Sequence, residues 1–191
     1  KYILTVWGGL DELSQLSDDR LSMLIHPDKA QGNDVYLLNA TLVYDAYNYD
    51  YTLEMERIKG KLVVLAENLP DNFDMVHIDA NNLYGKVSAN FEYSDEASVC
   101  NKIAIASTSL IKTATYMAPS IMTDGTVLDV NFVKENNSSG NLLLTPDDVK
   151  ISMERNKITM LKYVFNKEED KFYIYIKVND NWEVVHGMIL D

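Results

Sequence analysis

Three histidines and one cysteine are the side chains here best suited to metal ligation, proton transfer or thiol chemistry. His26, His77 and His186 stand 51 and 109 residues apart, so no pair has a metal-ligand spacing such as that of His-Glu-x-x-His. Cys100 is alone, which excludes an intramolecular disulfide and any zinc site built from several thiolates. Adjacent carboxylates occur at Asp18-Asp19, Asp147-Asp148 and Glu168-Glu169. A hydrolytic pair must face across a cleft, which adjacency in sequence does not supply, so these read as solvated turns. The eight glycines are too scattered for a phosphate cradle, and no Gly-x-Ser-x-Gly elbow or EF-hand loop is present. A serine, a histidine and an aspartate can be picked from many, but no spacing favours any set. The expectation is a protein without catalytic residues, metal or cofactor.

Other residues point to holding rather than bond-making. Tyr44, Tyr47, Tyr49 and Tyr51 cluster among 12 tyrosines and offer ring faces on which a sugar could stack. The same alternation also suits tyrosines packed cross-strand in a hairpin. Near the end, Trp182, Val184, His186, Met188 and Leu190 would share one face of a strand, with Glu183, Val185, Gly187 and Ile189 on the other. Such a segment fits either the last strand of its own sheet or a donor to another subunit's sheet. Asn39-Ala40-Thr41 and Asn136-Asn137-Ser138 match the glycosylation sequon, a short pattern that chance supplies often.

Charge narrows the partners. The 191 residues carry a formal charge of −12 and are 47% hydrophobic, enough apolar matter for a core. A surface that acidic repels phosphate backbones and anionic headgroups, which argues against nucleic acid and polybasic membrane binding. No apolar run reaches the roughly 18 residues of a spanning helix. The sequence opens Lys1-Tyr2-Ile3 without an initiator Met, as expected of a processed or trimmed product whose signal or lipid anchor would lie upstream.

The elements that must position these residues read as strands, from period-two alternation rich in β-branched and aromatic residues. The runs are Tyr2–Trp7, Val35–Tyr44, Tyr51–Ala66, Met75–Ala80, Tyr84–Tyr93, Lys102–Met117, Thr126–Lys134, Val149–Glu154, Lys157–Asn166, Lys171–Asn179 and Trp182–Leu190. The clearest is Lys171–Asn179, with Phe172, Ile174, Ile176 and Val178 on one face and Tyr173, Tyr175 and Lys177 on the other. Between Asp11 and Ile25, leucines at 10, 13, 21 and 24 with Ile25 fit either an amphipathic helix ended by Pro27 or a loop dipping into the core. The segment Leu53–Lys59 recurs loosely as Ile151–Lys157, its Met-Glu-Arg displaced by 98 residues, about half the chain. That echo suggests two tandem β-domains, 1–95 and 96–191, divided in the polar stretch Ser94–Ser98. The plain role for each Met is core packing, and for each Arg an ion pair.

His26-Pro27-Asp28-Lys29 resembles the loop by which J-domain co-chaperones stimulate their Hsp70 partners, with Leu21–Ile25 before it and Asp45-Ala46-Tyr47 after. The field has the wrong sign, because the preceding segment holds Asp11, Glu12, Asp18 and Asp19 against Arg20. Val35–Tyr44 is also too β-branched and aromatic for the following helix. A polar loop is the better reading.

Tyr2–Leu10, an aromatic followed by Val-Trp-Gly-Gly, resembles a strand-and-turn segment of fimbrillin-type proteins of Bacteroidales. The likeness continues through Leu53–Leu65, Asn68-Leu69-Pro70 and Met75–Ala80, then Met117-Ala118-Pro119-Ser120, Met153-Glu154-Arg155-Asn156 and Asn181-Trp182. It implies an all-β fold of two tandem transthyretin-like antiparallel β-sandwich domains, the first N-terminally incomplete and so smaller or more open. It further implies export to the outer membrane or a fimbrium, as a pilus component, an anchor or accessory protein, or an adhesin. Such proteins assemble by β-strand exchange, with other fimbrial subunits or host and bacterial surface ligands as partners. Any membrane attachment would come from an upstream lipid anchor, since Cys100 lies within the β-rich region. A glycan- or peptide-binding module on the same fold is the alternative.

Overall fold

The alternating runs pair into three sheets. The structure, a computed structural model, describes residues 1–43, 47, 50–70, 73–105, 110–134, 142–178 and 181–186. The strands of the first part are β1 (Tyr2–Gly8), β2 (Ser22–Leu24), β3 (Tyr36–Leu42), β4 (Glu56–Arg57), β5 (Gly60–Glu67), β6 (Met75–Ser88) and β7 (Tyr93–Ala104). Then follow β8 (Leu110–Met117), β9 (Thr126–Lys134), β10 (Leu142–Leu144), β11 (Val149–Ile151), β12 (Ile158–Asn166), β13 (Lys171–Val178) and β14 (Asn181–His186). Among the described residues there is no α-helix, only 3-10 turns at Leu13–Gln15 and Pro27–Lys29. No helix among them is long and apolar enough to cross a membrane.

A small sheet runs β1-β3-β4, a second runs β10-β9-β6-β2 with β11 on β9 and β7 on β6, and a third runs β14-β13-β12-β5-β8. The ladders are antiparallel except β5 with β12, which are parallel and aligned Lys61 to Ile158 through Glu67 to Val164. The inward faces of the two larger sheets share one core. Val76, Ile78, Val130 and Phe132 come from the second sheet, and Leu62, Val64, Leu161, Tyr163 and Ile174 from the third. Phe132 stacks on Phe172 at 5.6 Å between centroids and meets Tyr163 edge-on at 6.1 Å, so an aromatic cluster ties the two layers together.

Strand pairing runs across the expected division at 95/96. That point falls inside β7, and Ser94–Ser98 is polar because β7 pairs with β6 alone, as an edge strand does. β6 from the first half pairs with β9 from the second, and β5 with β12. The two Met-Glu-Arg segments therefore lead into neighbouring strands of one sheet. Where they meet, Asn156 N–H donates to the Lys59 carbonyl at 2.9 Å and Lys61 N–H to that of Lys157 at 2.9 Å. Gly60 makes this approach possible, because a Cβ there would lie 2.4 Å from the Glu154 carbonyl oxygen.

Asn81-Asn82 separates two expected strands but lies within one. The register shifts between Ala80 and Leu83, and Asn82 takes φ 61°, so β6 carries a bulge rather than a turn. The bulge flips the alternation, so that Val76, Ile78 and Ala80, then Leu83 and Val87, all point inward. Asp11–Ile25 is the loop, not the helix. Ser17 N–H bonds the Ser22 carbonyl at 2.9 Å, and Trp7 Nε1–H bonds the Arg20 carbonyl at 3.0 Å. Met23 and Ile25 are buried while Leu13, Leu21 and Leu24 are exposed.

Candidate functional site

The His-Pro-Asp-Lys loop turns out to be a structural clamp. It is a 3-10 turn between β2 and β3 with no flanking α-helix among the described residues, which argues against the co-chaperone reading; Asp45 and Ala46 of that motif lie outside them. His26 is buried, its Nδ1 lies 2.9 Å from the Ala30 carbonyl, and Ala118 N–H donates to Nε2 at 2.9 Å. Accepting at Nε2 requires the proton on Nδ1, so the ring is neutral and both nitrogens are engaged. Burial pushes its pKa down to about 3, with the Lys59 charge acting in the same direction. Lys59 is also buried, and its Nζ donates to the Gln31 carbonyl at 2.6 Å and the Asn33 carbonyl at 2.9 Å. Burial lowers it to about 8 against the opposing pull of Asp11 and Asp34. Gln31 Oε1 accepts the Tyr116 N–H at 3.2 Å, so His26, Gln31 and Lys59 tie this loop to the ends of β5 and β8.

Several other titratable groups also serve the fold. Asp19 Oδ1 accepts from Ser17 Oγ at 2.5 Å and Leu21 N–H at 3.0 Å, and Glu169 Oε2 accepts from Tyr173 at 2.8 Å and pairs with Lys171. Arg57 pairs with Asp34 at 2.8 Å, and Arg155 with Glu56 at 2.8 Å while lying 4.7 Å over Phe91, the ion-pair roles expected of the repeated arginines. A cleft of about 350 Å³ lies beside Arg155, lined also by Tyr93, Ser120, Met122, Ser152 and Met153. Ser120 Oγ is 2.6 Å from Thr126 Oγ1 and accepts the Met153 N–H at 2.7 Å, and no histidine lines the cleft to activate it. Tyr93 donates to the Ile58 carbonyl at 2.6 Å and burial raises it to about 12, so it stays a neutral donor. Among the described residues, no group of three His, Cys, Asp or Glu side chains could hold a metal ion.

The exposed sheet surfaces offer more. β14 pairs with β13 and forms one edge of the five-stranded sheet. Trp182 and Val184 on one face are 36 and 59% exposed, and Val185 on the other is 37% exposed, so among the described residues no layer covers either side of this strand. Of the other expected donor residues, the His186 side chain, Met188 and Leu190 lie outside the described residues, as do Tyr44 and Tyr49 of the tyrosine cluster. Tyr51 donates to the Val43 carbonyl at 2.8 Å, and Tyr47 is 96% exposed in the connection between β3 and β4. The spacing does not reveal a second set of aromatics, on the solvent face of the five-stranded sheet. There Lys162 Nζ lies 5.5 Å from the Tyr175 ring centre and 5.1 Å from that of Trp182. Lys61 Nζ lies 5.6 Å from that of Tyr116 and Lys171 Nζ 4.9 Å from that of Tyr173.

No family model matches the chain, and no curated protein matches it by sequence. Solved structures share its fold. A candidate adhesin from Bacteroides thetaiotaomicron superposes with a TM-score of 0.60 at 10% identity, over 97% of this chain and 77% of its own. A candidate cell adhesion protein from Bacteroides uniformis superposes with a TM-score of 0.56 at 12% identity, over 93% of this chain and 72% of its own. At such identities the likeness is one of fold, and the chain is similar to these two proteins over nearly all of its length.

Proposed function

We propose that this chain is a non-enzymatic, exported surface protein of the fimbrillin type, a pilus component or adhesin at the outer membrane or in a fimbrium, which joins its partners by strand exchange. The observation that carries this reading is β14, an edge strand exposed on both faces and, among the described residues, paired with β13 alone. An edge strand presents unpaired N–H and C=O groups, and a partner's strand satisfies them while filling the neighbouring apolar positions. The adhesion descriptions of the two fold neighbours support the surface role. So does the commitment of His26, Lys59 and Ser120 to structural hydrogen bonds, which leaves them unsuited to catalysis.

A labelled peptide of residues 181–191, added in excess to the whole chain, tests the assembly mode by fluorescence anisotropy. The peptide is expected to bind at this edge, added to β14 or in its place, while a scrambled peptide stays free. Absence of sequence-specific binding would remove strand exchange through this edge.

A further inference from the structure

The solvent face of the five-stranded sheet is basic in a protein of net charge −12. The registers place Lys61, Lys112, Lys162 and Lys177 on that face, with Lys171 at its end. Among the described residues, Glu67 is the one carboxylate at a strand position there, and Glu169 stands at its end, paired with Lys171 and Tyr173. Leu110, Ile158 and Val184, at its ends and edge, remain 56, 60 and 59% exposed, while Val63 at its middle is packed beneath its neighbours, so among the described residues the rim of the face is open. We propose that this face binds an acidic polysaccharide, a sugar chain bearing carboxylate or sulfate groups.

Three features argue for that occupant. The charge is of the right sign and concentrated, whereas the rest of the molecule is acidic, so a polyanion is directed to this one face. Lys61 and Lys162 are each held over an aromatic ring. A lysine already positioned loses less conformational freedom when it pairs with an anion. The rings beneath, Tyr175 and Trp182 above all, present apolar surface of the kind on which sugar rings pack.

The proposal names the ligand of the adhesive reading and rests on it, because only a surface protein meets such polymers. Calorimetry on the purified chain tests it with polygalacturonate, which supplies carboxylates, dextran sulfate, which supplies sulfates, and neutral dextran. The expected result is binding to at least one polyanion at low salt, lost at high salt, with no binding to dextran. The double substitution Lys112→Gln with Lys162→Gln, and separately Trp182→Ala, should each weaken it roughly tenfold or more. Lys150→Gln, on β11 of the other sheet, should leave it unchanged, and circular dichroism should show every variant folded. Silence toward both polyanions, equal binding of dextran, or indifference to the double substitution would each overturn the proposal. So would a dimer in sedimentation that the same substitutions dissolve, because the occupant would then be a second copy. A negative result with purified chain removes the ligand and leaves the surface reading, which depends on where the protein sits in the cell.

Discussion

Phe132→Ala is expected to cost about 4 kcal/mol of stability and to lower the melting temperature by roughly 8–16 °C. Phe132 is wholly buried in β9 and touches Tyr163 and Phe172 of the opposite sheet, so its removal opens a cavity between the layers. A typical domain has about 5–15 kcal/mol in total, so the loss is a large share of it. Because the ladders β5–β12 and β6–β9 join the two halves of the chain, unfolding should remain a single transition in wild type and variant alike. Scanning calorimetry decides the point. Two separable transitions, only one of them shifted by the substitution, would restore independent domains at 1–95 and 96–191.

Acidification should destabilise the protein through His26. Its pKa is about 3 in the fold against 6.5 when unfolded, so above pH 6.5 neither state is protonated and its contribution to stability is whole. As pH falls below 6.5 the unfolded chain takes up a proton that the buried ring refuses, and stability declines by about 1.4 kcal/mol per unit until the folded ring titrates near pH 3. Between pH 7 and pH 5 the loss from this one group is about 2 kcal/mol. His26→Gln removes the titration, so urea unfolding of the variant should show a weaker start at pH 7 but a smaller decline toward pH 5. Equal declines in the two proteins would show that His26 is not what the acid acts on.

Much of the strand content was legible because alternation directly reports which side chains turn inward. Lys171–Val178 has Ile174 buried and Tyr173, Tyr175 and Lys177 on the solvent side, as its pattern indicates. Partners were not legible, because period two specifies a face and never a neighbour. The Met-Glu-Arg echo looked like tandem domains for that reason, when it marks two strands that meet side by side in parallel. Met75–Ala80 and the start of Tyr84–Tyr93 read as two strands because a bulge with positive φ at Asn82 interrupts the alternation of what is one strand. His26 sat in a motif suggestive of partner binding, yet both ring nitrogens bond the backbone, one of them to Ala118 on the far side of β8. The basic face was missed because its lysines run from 61 to 177 in the sequence and converge only through sheet pairing.

On the proposed reading the protein holds on to neighbours, its buried His26 and Lys59 serving the fold while its sheet edge and basic face meet solvent. Antibody against the chain, applied to intact cells of the producing organism, tests this most directly. The expected result is labelling without permeabilisation, abolished by brief protease treatment of whole cells. Labelling that appears only after lysis, with the protein recovered among cytosolic proteins, would contradict it.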